Sequence, residues 1–177
     1  MSIPVSLRDD LAACLPQLRR YARALTGDAA WADDLVQDTL ERALARTSVL
    51  RVHSNMRAWL MTILRHLYID QLRKHRELAL DADDPVWQRL EAPVGEVGGL
   101  LLLDLQRALY RLPLEQRDVL LLVALEQLSY REAAAILQVP VGTVMSRLSR
   151  AREHLRVLLG SDAGSRPEIF KVARQRP

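Results

Sequence analysis

One cysteine and four histidines among 177 residues leave little material for several kinds of chemistry. Cys14 has no second cysteine to pair with, and His53, His66, His75 and His154 lack the short spacings of metal ligands, so neither an internal disulfide nor a metal site is expected. Glycine-rich phosphate loops, paired carboxylates in a pocket-like setting and a nucleophile beside a credible base are all missing. That argues against an enzyme, and no cofactor is implied. No run of about 18 apolar residues could span a bilayer, and the first residues lack a signal-peptide apolar core, so a cytoplasmic protein is expected. Aromatic residues make up only 5% of the chain, and β-branched ones are also few, while Ala, Leu and Arg abound. This composition predicts an all-α fold.

What is present suffices for a core: 49% of the residues are hydrophobic, and the length allows one or two domains. The net charge of +3 is mild, so its distribution matters more than its total. Acids concentrate in Asp28 to Glu41 and again in Glu77 to Glu96, whereas Arg57 to Arg76 and Arg147 to Arg156 are basic. Two basic surfaces separated by acidic segments predict two contacts with a polyanion and another surface that does not compete for it.

The most informative stretch is Ser129 to Leu159. Ser129 and Glu132 have the spacing of a capping box, which predicts a short helix carrying Ala133, Ala134, Ile136 and Leu137 inward. Gln138-Val139-Pro140 interrupts it, and a second helix begins after Pro140. With about 100° of turn per residue, Val144, Leu148, Ala151 and Leu155 share one face of that helix, and Thr143, Ser146, Arg147 and Arg150 are expected on the opposite one. Short hydroxyls and guanidiniums near the N-terminus of the second helix suit the major groove, where Arg bonds guanine edges in pairs or grips phosphate.

Upstream, Pro16 is expected to start a helix running to about Leu25, after a looser opening turn. Thr26-Gly27-Asp28 stops that helix and caps the next, Asp28 to Arg46. There Trp31, Leu35, Leu40 and Leu44 supply core, while Asp33, Asp34, Gln37, Asp38 and Glu41 project acid and amide groups. Favourable first-turn acids would explain Asp33 and Asp34; the acids further along fit a docking surface for a basic protein. Thr47 to Ser54 reads as a loop, and Asn55 caps a long helix through Arg76. On it Leu60, Ile63, Leu64 and Leu67 form the core stripe. The opposite arc carries Thr62, Arg65, His66, Ile69, Arg73 and Arg76, with Trp59, Met61 and Tyr68 on its flanks. Basic and aromatic side chains so interleaved can grip phosphates and stack unpaired bases, although Trp59 and Tyr68 could instead be core.

Glu77 to Gly99 breaks every periodicity and reads as an interdomain linker, with Trp87 and Leu90 its bulky apolar pair. A second domain follows, with a helix from Leu100 to about Arg111, another from about Pro113 to Leu125, and the helix pair described above. The tail after Gly160 is expected to be frayed.

In this order, the segments Asp33 to Leu44 (DDLVQDTLERAL), Met56 to Arg76 (MRAWLMTILRHLYIDQLRKHR) and Leu112 to Arg152 resemble the group IV, or extracytoplasmic-function (ECF), bacterial sigma factors of the sigma-70 family. The resemblance spans about residues 15 to 160. It implies a sigma-2 domain over residues 1–76, a linker over 77–99, a sigma-4 domain over 100–160 and a flexible tail over 161–177. It implies core RNA polymerase as partner, through the β′ clamp helices and the β flap, with Asp33, Asp34, Gln37, Asp38 and Glu41 docking on polymerase. Ser54, Asn55, Arg57, Thr62, Arg65, His66, Arg73 and Arg76 would meet the promoter −10 element, and the loop from Arg46 to Asn55 would capture a flipped base. Arg131, Thr143, Ser146, Arg147 and Arg150 would meet the −35 element. His66 stands where family members often have Asn, and its protonation would make that contact sensitive to pH. An anti-sigma protein is a further implied partner. The alternative is a stand-alone helix-turn-helix regulator that binds duplex operators, which leaves Asp33 to Arg76 unexplained.

Overall fold

The computed structural model describes residues 5–46, 55–78 and 98–160, and side chains within residues 8–46, 55–74 and 104–160. The loop to Ser54, most of the acidic linker with Trp87 and Leu90, the side chain of Arg76 and the tail after Gly160 lie outside the described residues. Seven helices are found among the described residues, and the chain divides into two compact units, Met1–Asp84 and Pro85–Pro177.

The first unit consists of α1 (Val5–Thr26), α2 (Ala29–Leu44) and α3 (Met56–Leu78), each packed against the other two. Contrary to expectation, α1 is continuous through Pro16. Pro16 and Ala12, the residue whose carbonyl loses its helical donor, are both exposed, so water can satisfy the lost bond. Leu11 before the proline and Leu18, Tyr21, Ala22 and Leu25 after it are all buried, and this stripe carries the helix across the break. The corner between α1 and α2 forms as Thr26-Gly27-Asp28 predicts. Gly27 takes a positive φ of 70°, and its N–H donates to the Arg23 carbonyl at 2.9 Å. The Asp28 carboxylate then accepts from the Trp31 N–H at 2.7 Å.

Helix α2 turns Ala32, Leu35, Val36, Thr39 and Ala43 inward, while Trp31, Leu40 and Leu44 are only half-buried. Its small inward residues let neighbouring helices come close. Because α3 packs against two helices, its buried surface is wider than one stripe and includes Met61 and Tyr68 beside Leu60, Ile63 and Leu64. The Tyr68 hydroxyl donates to the Leu25 carbonyl at 3.2 Å, one of the carbonyls left over at the end of α1. Its ring lies 5.5 Å from that of Trp31.

The second unit contains α4 (Gly98–Arg111), α5 (Leu114–Leu120) with a following wide turn at Leu121–Leu125, α6 (Tyr130–Leu137) and α7 (Val141–Leu158). In the wide turn the Glu126 N–H reaches the Leu121 carbonyl, five residues back, at 2.9 Å. Arg117 to Val123 are seven consecutive buried residues, more than an α-helical stripe can point inward, and the wider turn begins within this run. The Arg117 guanidinium lies 4.7 Å above the Tyr110 ring and ties α5 to α4.

The capping box of α6 is complete. The Ser129 N–H donates to Glu132 at 2.8 Å, and the Glu132 N–H donates to the Ser129 hydroxyl at 3.3 Å. Helix α6 ends at Gln138, which adopts the left-handed conformation (φ 56°) more often given to glycine. Helix α7 follows Pro140 without a side-chain cap and buries Val144, Leu148, Ala151 and Leu155, the face expected.

Candidate functional site

Three helical faces hold the residues singled out from the sequence, two in the first unit and one in the second. On α2, Asp33, Asp34, Gln37, Asp38 and Glu41 are all exposed, opposite the buried residues of the helix. Their surroundings differ. Asp33 lies 3.9 Å from Arg19 and 3.8 Å from Arg23, so α1 shares its charge, weakly at this exposure. Gln37 donates to Glu41 at 3.0 Å, and Asp38 accepts from Gln71 of α3 at 2.9 Å. Asp34 has no ion pair among the described residues. Asp34 and Asp38 stand four apart on one face, a like-charge spacing that costs an isolated helix a few tenths of a kcal/mol. An acidic face kept against that cost suits a basic protein surface.

The face of α3 is less uniformly open. Arg73 is exposed, whereas Arg57, Thr62, Arg65 and His66 are half-buried. The Asn55 carboxamide accepts from the Ala58 N–H at 3.0 Å, and the Thr62 hydroxyl donates to the Ala58 carbonyl at 2.9 Å. Both side chains are therefore already engaged with their own helix. Ser54 lies outside the described residues, as does the side chain of Arg76. The expectation that Met61 flanks a stacking surface is corrected, since it is buried between helices; of the two aromatics left open between flank and core, Tyr68 is core and Trp59 is half-buried. Nearby, burial pushes the Cys14 thiol above its usual range despite the opposing charge of Arg57. A thiol held protonated is a poor nucleophile.

The third face is on α6 and α7. Arg131, Ser146 and Arg150 are exposed, and the Ser146 hydroxyl donates to the Thr143 carbonyl at 3.0 Å. Arg147 is not opposite the core: it is half-buried at the edge of α7, with Nη2 2.8 Å from the Glu115 carboxylate of α5. The reason is helical phase, since Arg147 immediately precedes buried Leu148 and follows buried Val144 by three residues. Thr143 is likewise half-buried.

Two exposed apolar residues in the first two turns of this helix, Val141 and Met145, were not singled out from the sequence. Their signal was available, because an apolar residue outside the buried stripe at the start of a major-groove helix can meet a thymine methyl group. Glu153 limits the length of the polar face. Arg156 holds it at 2.8 Å and keeps its carboxyl below the usual range. The exposed Glu153 carboxylate lies beyond Arg150 on the helix, where it is less favourable to a polyanion than the residues before it. No cluster of His, Cys, Asp and Glu among the described residues could hold a metal ion.

Residues 11–65 match the family described as the Sigma2 domain of PhyR, and residues 102–155 match Sigma-70, region 4. The ECF RNA polymerase sigma factor EcfG of Rhodopseudomonas palustris is 44% identical over 162 residues, covering 92% of this chain and 90% of that protein. Among solved structures, the sigma factor RpoE of Bartonella quintana, in complex with the anti-sigma factor NepR, is 36% identical. It superposes with a TM-score of 0.77, over 89% of this chain and 99% of that one. The PhyRSL–NepR complex from Sphingomonas sp. Fr1 gives a TM-score of 0.65 at 26% identity, over 94% and 96% of the two chains.

Proposed function

The chain belongs to the ECF RNA polymerase sigma factors, and from that premise we propose how its two helical units divide the work of a promoter-specificity subunit. As a sigma factor it binds core RNA polymerase, recognises the −35 and −10 promoter elements and helps to open the duplex.

In the proposed division, residues 1–76 dock on the polymerase clamp helices through Asp33, Asp34, Gln37, Asp38 and Glu41. The same domain meets the −10 element through the α3 face and the residues that precede it. Residues 100–160 read the −35 element through Arg131, Thr143, Ser146, Arg147 and Arg150, and residues 77–99 link the two. The protein performs no covalent chemistry. It supplies binding energy that differs between promoter and other DNA, and between closed and open duplex; each unstacked base costs a few kcal/mol, which capture of the flipped base offsets. Action in the cytoplasm follows from that role, and no helix among the described residues is long and apolar enough to cross a membrane. An anti-sigma protein is the proposed regulator, by likeness to the sigma factor RpoE in complex with the anti-sigma factor NepR.

The observation that carries this reading is the pairing of an exposed acidic α2 face with an outward polar face on the α7 N-terminal half. A stand-alone operator binder requires the second and has no use for the first. Run-off transcription with purified core polymerase, with and without the protein, on a library of promoter sequences tests it. Initiation that depends on the protein, from templates sharing two spaced elements, is the expected outcome. Duplex binding without any affinity for core polymerase would instead make the protein a stand-alone regulator.

A further inference from the structure

Arg147 is the one residue of the proposed −35 face that is tied to another helix by an ion pair among the described residues. Its partner, Glu115, lies in the first turn of α5, and the Glu115 side chain is 66% exposed where the Arg147 side chain is 21% exposed. The pair thus joins a well-held guanidinium to a carboxylate near solvent. Two consequences follow from the chemistry of the groups. A carboxylate 2.8 Å from Nη2 offsets the positive charge of Arg147, so this arginine has less to gain from a phosphate than the exposed Arg150. A guanidinium also has five N–H donors in a rigid fork, so fixing one nitrogen orients the rest without using them up.

Resting on the proposed −35 reading, we infer that Glu115 is a positioning residue for promoter discrimination: it holds Arg147 for base-edge contact and removes it from phosphate binding. A free arginine on a DNA-facing helix spends binding energy on phosphates, which are alike in every sequence. An arginine pre-oriented by a carboxylate loses less side-chain entropy when it meets a base, and an approaching phosphate is repelled by that same carboxylate. Glu115 thereby raises specificity at some expense of overall affinity.

The test measures holoenzyme affinity, with the full chain on core polymerase, for a promoter and for duplexes bearing each single base-pair change across the −35 element, at several salt concentrations. In Glu115→Ala, discrimination at one or two adjacent base pairs should fall by roughly threefold to tenfold. Affinity for unrelated duplex should rise, and the salt slope should steepen by about one unit as Arg147 gains a phosphate. In an Arg147→Ala background, Glu115→Ala should change neither quantity. Glu115→Gln, which keeps an acceptor oxygen but not the charge, should retain most of the discrimination and still steepen the salt slope.

Unchanged discrimination in Glu115→Ala, or an equal change in the presence and absence of Arg147, would overturn the inference and reduce the pair to a structural tie. Arg150→Ala separates this failure from a deeper one. If Arg150→Ala weakens −35 binding while the Glu115 and Arg147 variants do not, the −35 reading stands and only the positioning role falls. If none of the three alters binding to any −35 variant, the reading of this face as the −35 surface falls with it.

Discussion

The Gln71 carboxamide of α3 donates to the Asp38 carboxylate of α2 at 2.9 Å. Its other end accepts from the Trp31 indole at 2.6 Å. The orientation of this amide is fixed by chemistry, because an indole N–H can only donate and an ionised carboxylate can only accept. One oxygen of Asp38 is thus held by the helix assigned to the −10 element while the carboxylate stays on the face assigned to polymerase. The two faces proposed for polymerase and promoter thus share a hydrogen-bonded chain.

Replacing Gln71 separates its two bonds. Gln71→Ala removes both, and core polymerase affinity should drop by about the worth of one oriented hydrogen bond, roughly 0.5–1.5 kcal/mol. Gln71→Glu keeps an acceptor for Trp31 but sets a second carboxylate against Asp38, so it should weaken core binding at least as much. Titration of core polymerase with fluorescently labelled protein distinguishes the cases. Full binding by Gln71→Glu would mean that Gln71 serves Trp31 alone.

Charge reversal at Asp34 should move stability and function in opposite directions. A lysine at position 34 would stand four residues before Asp38 and replace a like-charge pair by an opposite one, stabilising α2 by about 0.3 kcal/mol. The same change puts a cation on the proposed docking face and should weaken core binding by at least about tenfold, roughly 1.4 kcal/mol. Thermal unfolding by circular dichroism and a core-binding assay check the two arms. A loss of binding accompanied by a loss of helix would attribute the effect to folding.

Tyr68 gives a test of core against nucleic-acid roles. Tyr68→Phe keeps the buried ring but leaves the Leu25 carbonyl without its 3.2 Å donor, which should cost about 1–2 kcal/mol in the hydrogen-exchange protection of α3. Promoter opening at saturating protein should be unchanged, since the ring is buried between helices. A melting defect with unchanged protection would return Tyr68 to the DNA.

The sequence was most legible where one local signal and one periodic signal coincide. Ser129 with Glu132, Thr26-Gly27-Asp28 and the α7 stripe of Val144, Leu148, Ala151 and Leu155 need only neighbouring residues to be read. The misreadings arise where a third element decides. Pro16 breaks a helix by propensity alone, but the stripe on both sides of it outweighs the lost bond. Met61 looks like a flank residue until α3 has two partners, and the same packing decides Tyr68, which the sequence leaves open between flank and core. Arg147 looks outward until α5 supplies Glu115, a residue 32 positions earlier that no spacing rule connects to it. Of the candidate site, the exposure of the acidic α2 side chains was legible because it follows from one helix alone.

Gln138 is where a turn has formed without its preferred residue. Its left-handed conformation carries a side chain that crowds the backbone, while the N–H of Val139 still reaches the Ala134 carbonyl at 3.1 Å. Gln138→Gly should therefore stabilise the second unit by about 0.5–1 kcal/mol, read as slower amide exchange in α6 and α7. Gln138→Val should do the reverse, because a β-branched residue is strained further at positive φ. Equal exchange in both variants would show that the turn relaxes to another conformation at little cost.

Arg150 should behave unlike its neighbour Arg147. Exposed and without an ion pair among the described residues, it can bond a guanine edge or a phosphate, and the two outcomes differ in kind. If it reads a base, Arg150→Ala should cost about 1–3 kcal/mol at one −35 position and little elsewhere. If it grips phosphate, affinity should fall evenly over all sequences and the salt slope should lessen by about one unit. Its place on the same helix face as Ser146, before the acid at Glu153, favours the base. Holoenzyme binding to the single-substitution −35 set, at two salt concentrations, decides between them. An even loss across the set would leave Thr143, Ser146 and Arg147 as the residues on α7 assigned to sequence reading.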